Sequence, residues 1–221
     1  MENINKLAVT IRRPWPIRSF AYFFSYLFHP LFIPLYVTLF LMYVHPSYFT
    51  GIDAKTHFWL PFIVADITIF FPVFSIFLLK ALGFIKSFFL HTQKDRIIPY
   101  IISQVFFFWI YWVCRNYSPA LPIILTSFML GVLLSASTAL LLNIYMKISM
   151  HTIGMGGLVG LFLLIMQSNT MLMTWPLCLA LLISGIICTS RLLISDHTQK
   201  EIYLGFFIGV LCQFAAALVT M

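Results

Sequence analysis

The chain has 221 residues, 62% hydrophobic and 18% aromatic, with only 9% charged and a mean hydropathy of +1.00. A soluble domain needs a far more polar surface, so the composition excludes one. The net charge of +7, from 13 basic and 6 acidic residues, suits membrane topology and lipid headgroups; no basic run with interleaved aromatics argues for nucleic acid.

Residues 1–18, MENINKLAVTIRRPWPIR, read as a basic tail without the apolar core or cleavage site of a signal peptide. From residue 19 to 221 the chain reads as one all-α transmembrane bundle. Continuous apolar runs, not alternating ones, are near or above the length needed to cross a bilayer. They fall at about 19–44, 57–83, 97–114, 119–146, 152–169, 171–190 and 201–220. The first is interrupted by His29-Pro30 and Pro34, so it reads as a kinked helix, and the count of spans is six or seven.

The second segment contains Asp66, an acid suited either to bonding a neighbouring helix or to lining a lipid groove. His29, His45, His57 and His91 read as interfacial. The cysteines, Cys114, Cys178, Cys188 and Cys212, sit in or beside apolar segments and form no C-x-x-C pair, so they read as small core residues. Gly156 and Gly160 in the fifth segment, and Gly205 and Gly209 in the seventh, have the spacing that lets helix backbones approach closely.

Three polar clusters interrupt this apolar sequence. HTQKDRIIP (His91 to Pro99) precedes the third segment. KISMHT (Lys147 to Thr152) separates the fourth from the fifth, and SRLLISDHTQKE (Ser190 to Glu201) the sixth from the seventh. Two segments lie between each cluster and the next, so single crossings bring all three to one face. The intervening loops, HPSYFTGIDAKTH, CRNYSP and MQSNT, read as plain connections.

The shared face collects Lys94, Arg96, Ser149, His151, Arg191, His197 and Glu201. Arginine forks grip phosphate or carboxylate oxygens in pairs, and lysine adds a point charge. Ser149 and the start of the fifth helix add a hydroxyl and backbone N–H groups. A neutral histidine can attack phosphorus if its other ring nitrogen has an acceptor. Glu201, four residues after His197, would share a helix face with it. His151 can protonate the leaving oxygen. Taken singly, the bland readings weigh more: Arg191 and Lys200 as snorkelling cations, His197 and Glu201 as an i,i+4 pair. Convergence of three clusters favours a site. The cations would repel a divalent metal, so no metal is expected, and no other cofactor.

Ser190-Arg191, five residues, His197, three residues and Glu201 resemble the third motif of the type 2 phosphatidic acid phosphatase (PAP2) superfamily, SR-x5-H-x3-D. Ile148-Ser149-Met150-His151 stands where that family has P-S-G-H, and Lys94 to Pro99 where it has K-x6-R-P. The resemblance covers roughly residues 90–205. It implies a metal-independent lipid phosphatase in a helical bundle. By position, His197 is then the nucleophile, Glu201 its orienting acid and His151 the general acid. Arg191, Ser149, Lys94 and Arg96 bind phosphate. Glu stands for Asp at 201, Met for Gly at 150 and Ile for Pro at 148, and a single residue separates Lys94 from Arg96.

The expected protein is an integral membrane enzyme that hydrolyses a lipid phosphomonoester or pyrophosphate through a phosphohistidine. Its partners are the bilayer and a lipid phosphate, with no nucleic acid and no oligomeric state specified. The expected home is a bacterial inner membrane. With seven spans, Lys55 and Arg115 alone of the 13 cations fall opposite the clusters, which favours a cytoplasmic site; six spans reverse that. Rival readings are a catalytically silent lipid-phosphate binder or transporter, and a prenyltransferase, for which the chain lacks the D-x-x-x-D metal pair.

Overall fold

The computed structural model describes residues 14–84, 93–168, 170–194 and 197–221. Its helices are α1 (Trp15–Leu27), α2 (Ile33–Val44), α3 (Ala54–Ala81), α4 (Gln93–Asn116), α5 (Ile123–Leu142), α6 (Met150–Ser168), α7 (Thr170–Ile194) and α8 (Gln199–Thr220). The six helices α3 to α8 are long and apolar enough to cross a membrane, and no strand occurs among the described residues. The chain is thus an all-α polytopic bundle of an integral membrane protein.

The first apolar segment is two helices. Pro30 lacks the N–H an uninterrupted helix would need, and α1 stops at Leu27. The Leu27 carbonyl left over accepts the Tyr36 hydroxyl at 2.8 Å. α2 ends in a π-helical turn, Phe40–Val44, and is too short to be a span by length alone. Ring contacts nevertheless follow it through the bundle. His29, just before it, abuts His151 in the first turn of α6. Phe40 meets Phe162, deeper on α6, with centroids 4.7 Å apart. Tyr43 and Phe49 reach His57 near the start of α3. The chain therefore passes from one end of the bundle to the other between His29 and His57.

Local signals set the ends of α3. The Asp53 carboxylate accepts the Thr56 N–H at 3.0 Å and the Thr56 hydroxyl at 2.7 Å, capping the N-terminus. At the other end Gly83 takes the left-handed conformation, φ 81°. Its N–H reaches the Lys80 carbonyl and that of Phe84 reaches Leu79, which closes the last turn. Asp66 opens a second π-helical turn, Asp66–Phe70, and lies exposed on the outer surface near the middle of α3.

Helix association in lipid draws on close packing more than on hydrophobic burial, because acyl chains are as apolar as leucine. The glycine pairs supply that packing. A methyl group on Gly156 would collide with the Phe206 carbonyl, and one on Gly209 with the Ile153 carbonyl. Gly160 faces Val210, and Gly205 faces Thr152. α6 and α8 thus touch backbone to backbone. α5 packs against α8, with Gly131 beside Gln213. Leu41, Leu60, Phe128, Met129, Met155 and Ile165 fill the centre, while Phe74, Trp112 and Leu218 face outward as lipid contact requires.

Candidate functional site

The three polar clusters meet at one end of the bundle, but each is held differently from the loop expected. α4 starts at Gln93, so Lys94 and Arg96 lie in its first turn. Residues two apart on a helix diverge. Arg96 turns inward, and its Nη1 donates to the Ile148 carbonyl at 3.4 Å. Lys94 is exposed, and among the described contacts none ties it to the site. The Tyr100 hydroxyl, one turn after Arg96, donates to the same Ile148 carbonyl at 3.4 Å. Asn143 Nδ2 donates to the Gln93 carbonyl at 2.9 Å. These bonds fasten the first cluster to the second.

Ser149 and His151 sit at the start of α6. The Ser149 carbonyl accepts the Ile153 N–H and the Thr152 hydroxyl, beginning the helix. The Ser149 hydroxyl is fully buried, and no described partner satisfies it. Such a group costs about 1–3 kcal/mol unless something bonds it. Arg191 lies in the last turn of α7, where a cation complements the helix dipole.

The His197–Glu201 pair forms, for a reason other than helical spacing. α8 begins at Gln199, so His197 precedes the helix and Thr198 is its cap. The Thr198 side chain accepts the Glu201 N–H at 3.3 Å, and the Glu201 carboxylate accepts the Thr198 N–H at 2.9 Å. This is a reciprocal capping box. The same Glu201 oxygen, Oε2, lies 3.3 Å from His197 Nδ1. The cap thus holds the carboxylate that orients the imidazole. A carboxylate only accepts, so the proton sits on Nδ1 and the lone pair on Nε2. The His197 side chain is 3% exposed.

Electrostatics link the pieces. Burial is the main cause that lowers the His197 pKa, followed by the charges of Arg96 and Arg191; Glu201 pulls the other way. Arg191 also acts on His29, Tyr100 and His151, and Arg96 on Tyr100 and Arg191. His197 acts on His151. Arg96, Ser149, His151, Arg191, His197 and Glu201 therefore gather at one end, and Lys94 stays outside. Asp196 and His91 lie outside the described residues.

Two groups escaped the sequence reading. Tyr100 was legible in principle, being one helical turn from Arg96. His29, read as interfacial, lies at the site end of the bundle with its ring 5.0 Å from that of His151, edge to face. His45 is buried at the opposite end of the bundle, with Nδ1 2.9 Å from the Ser47 hydroxyl.

Fold and site together define a polytopic α-helical membrane protein with arginines, histidines and one carboxylate gathered at one end. No family model, no curated protein and no solved structure matches the chain.

Proposed function

We propose that the protein is a metal-independent lipid phosphatase, acting on a lipid phosphomonoester or pyrophosphate through a phosphohistidine at His197. The observation that carries this is the His197 ring: Nδ1 is tied to Glu201, Nε2 keeps its lone pair, and Arg96, Arg191 and His151 stand around it. Two guanidiniums drawn together repel, and a phosphoryl group between them offsets that cost. The buried Ser149 hydroxyl would gain a partner in the same phosphate.

In the first half-reaction, His197 Nε2 forms a bond to phosphorus and the bond from phosphorus to the leaving oxygen breaks. That oxygen keeps the electron pair and takes a proton from His151. In the second, a water oxygen bonds to phosphorus and gives its proton to His151. The phosphorus–Nε2 bond then breaks and its pair returns to His197. The sum is substrate plus water giving alcohol, or a lipid monophosphate, and phosphate.

The test is phosphate release by the purified protein in EDTA, across polyprenyl pyrophosphate, phosphatidylglycerophosphate, phosphatidic acid and a lipid A phosphate. Release from at least one, inhibited by vanadate, is the expected result. Binding without turnover of any would make the protein a silent binder instead.

The site is proposed to face the cytoplasm. Of the described cations, Lys55 and Arg115 lie near the far ends of α3 and α4, while Lys80, Lys94, Arg96, Lys147, Arg191 and Lys200 lie toward the end that holds His151 and His197. By the positive-inside rule that excess favours the cytoplasmic side. Cysteine introduced beside Lys147 should resist an impermeant thiol reagent in intact cells and react after permeabilisation. Labelling in intact cells would reverse the orientation.

A further inference from the structure

The last turn of α1 and the segment joining it to α2 touch the site although they lie far from it in sequence. His151 Nε2 is 3.1 Å from the Ser25 carbonyl, across 126 residues of chain. A carbonyl oxygen only accepts, so this nitrogen carries the proton and the lone pair of neutral His151 is on Nδ1. The His29 ring meets the His151 ring edge to face, with centroids 5.0 Å apart. His29 Nδ1 in turn accepts the Leu31 N–H at 3.4 Å, which fixes His29 as the neutral Nε2–H form. Ser25 is itself buried at 4% exposure.

We propose that Ser25–His29 completes the site. The Ser25 carbonyl holds the His151 proton on Nε2, Nδ1 becomes the nitrogen that exchanges protons with substrate and water, and His29 is a positioning residue that keeps that ring in place. This rests on the phosphatase reading for its chemistry, but the tautomer stands independently. In the half-reactions above, the proton given to the leaving oxygen and the proton taken from water both pass through Nδ1. Nε2–H stays bonded to Ser25 throughout: that carbonyl stabilises the His151 imidazolium that enters the first half and is restored by the second, and between the halves the ring is neutral with its lone pair on Nδ1.

His29 suits this because it supplies a ring without a charge. Burial, and then the charge of Arg191, bring its pKa down to about 4, so it stays neutral near pH 7. Arg191 on α7 and His197 before α8 are the other titratable or charged groups acting on His151. Tyr22 and Tyr26 on α1 act on Arg191. A second imidazolium among these cations would oppose protonation of His151, and a neutral aromatic edge does not.

The experiment is ¹⁵N NMR of histidine-labelled full-length protein in detergent, with the His151 signals assigned by their loss in His151→Gln. Wild type should show the Nε2–H tautomer; an Nδ1–H tautomer overturns the proposal whether or not any lipid phosphate is hydrolysed. His29→Ala should shift the tautomer ratio and lower kcat about tenfold with KM little changed, as loss of one oriented proton-transfer group does. His29→Phe keeps an aromatic edge and should return kcat to within about threefold of wild type. If His29→Phe is as impaired as His29→Ala while both keep the wild-type melting temperature, ring packing is not what His29 provides. If no substrate turns over in any variant, the phosphatase reading fails, and the spectra still decide the positioning.

Discussion

Replacing His197 by alanine is expected to lower phosphate release by roughly a thousandfold or more, the scale seen when a covalent nucleophile is removed. The fold should survive. The variant loses one 3.3 Å bond to Glu201, worth about 1 kcal/mol, while the capping box between Thr198 and Glu201 remains. Melting temperature and detergent-resistant mass should therefore stay close to wild type. Unchanged release would remove His197 from the nucleophile position.

The neighbouring Glu201→Gln variant carries a signed pH prediction. In the proposed reaction attack needs neutral His197, so kcat/KM should fall as pH drops through its pKa. Burial, Arg96 and Arg191 hold that pKa below the ordinary histidine value, while the Glu201 carboxylate raises it. Removing the carboxylate charge should move the acid limb to still lower pH. At the same time kcat should fall, because the Nδ1–H loses its charged acceptor. Comparing variant with wild type on one substrate cancels the ionisation of the substrate itself. An acid limb displaced to higher pH would mean that a different group is being titrated.

What could be read from the sequence follows from how local its causes are. The apolar runs predict the membrane helices because length and hydrophobicity alone determine a span. Parity predicts that Arg96, His151, Arg191 and His197 share one end, because it depends only on the number of crossings. The glycine pairs predict the α6–α8 contact, because spacing of four places both on one helix face. Other features depend on contacts that leave no residue signature. Nothing about serine at position 25 marks its backbone carbonyl as the partner of His151. Nothing in the sequence pairs His29 with His151, because only the break at Pro30 turns the chain so that its ring meets α6. The Thr198-Gln199-Lys200-Glu201 box was present as a motif, and it moves the start of α8 two residues beyond His197. It also gives a physical reason for glutamate at 201, whose extra methylene reaches back to the Thr198 N–H.

The largest effect on stability should come from the glycine contact, because there the obstacle is backbone. In Gly209→Val the new side chain meets the Ile153 carbonyl and the Gly157 N–H, and neither can rotate away. α8 must then move off α6 along its length, with a cost of about 3 kcal/mol or more, at the upper end of overpacking. Gly156→Leu should do the same from the other side, against Phe206 and Val210. Gly185→Ala is the control: nothing lies within 4 Å of the added methyl, so its effect should stay within about 0.5 kcal/mol. Thermal unfolding in detergent measures all three. The functional consequence is larger than the lost stability alone, because α6 carries His151 and α8 carries Glu201. In the proposed reaction, separating the helices by about 1 Å would pull the His151 ring from His197, and a misplacement of that size can cost on the order of a hundredfold in rate. A Gly209→Val protein as stable as wild type would mean that the two helices do not meet at this seam.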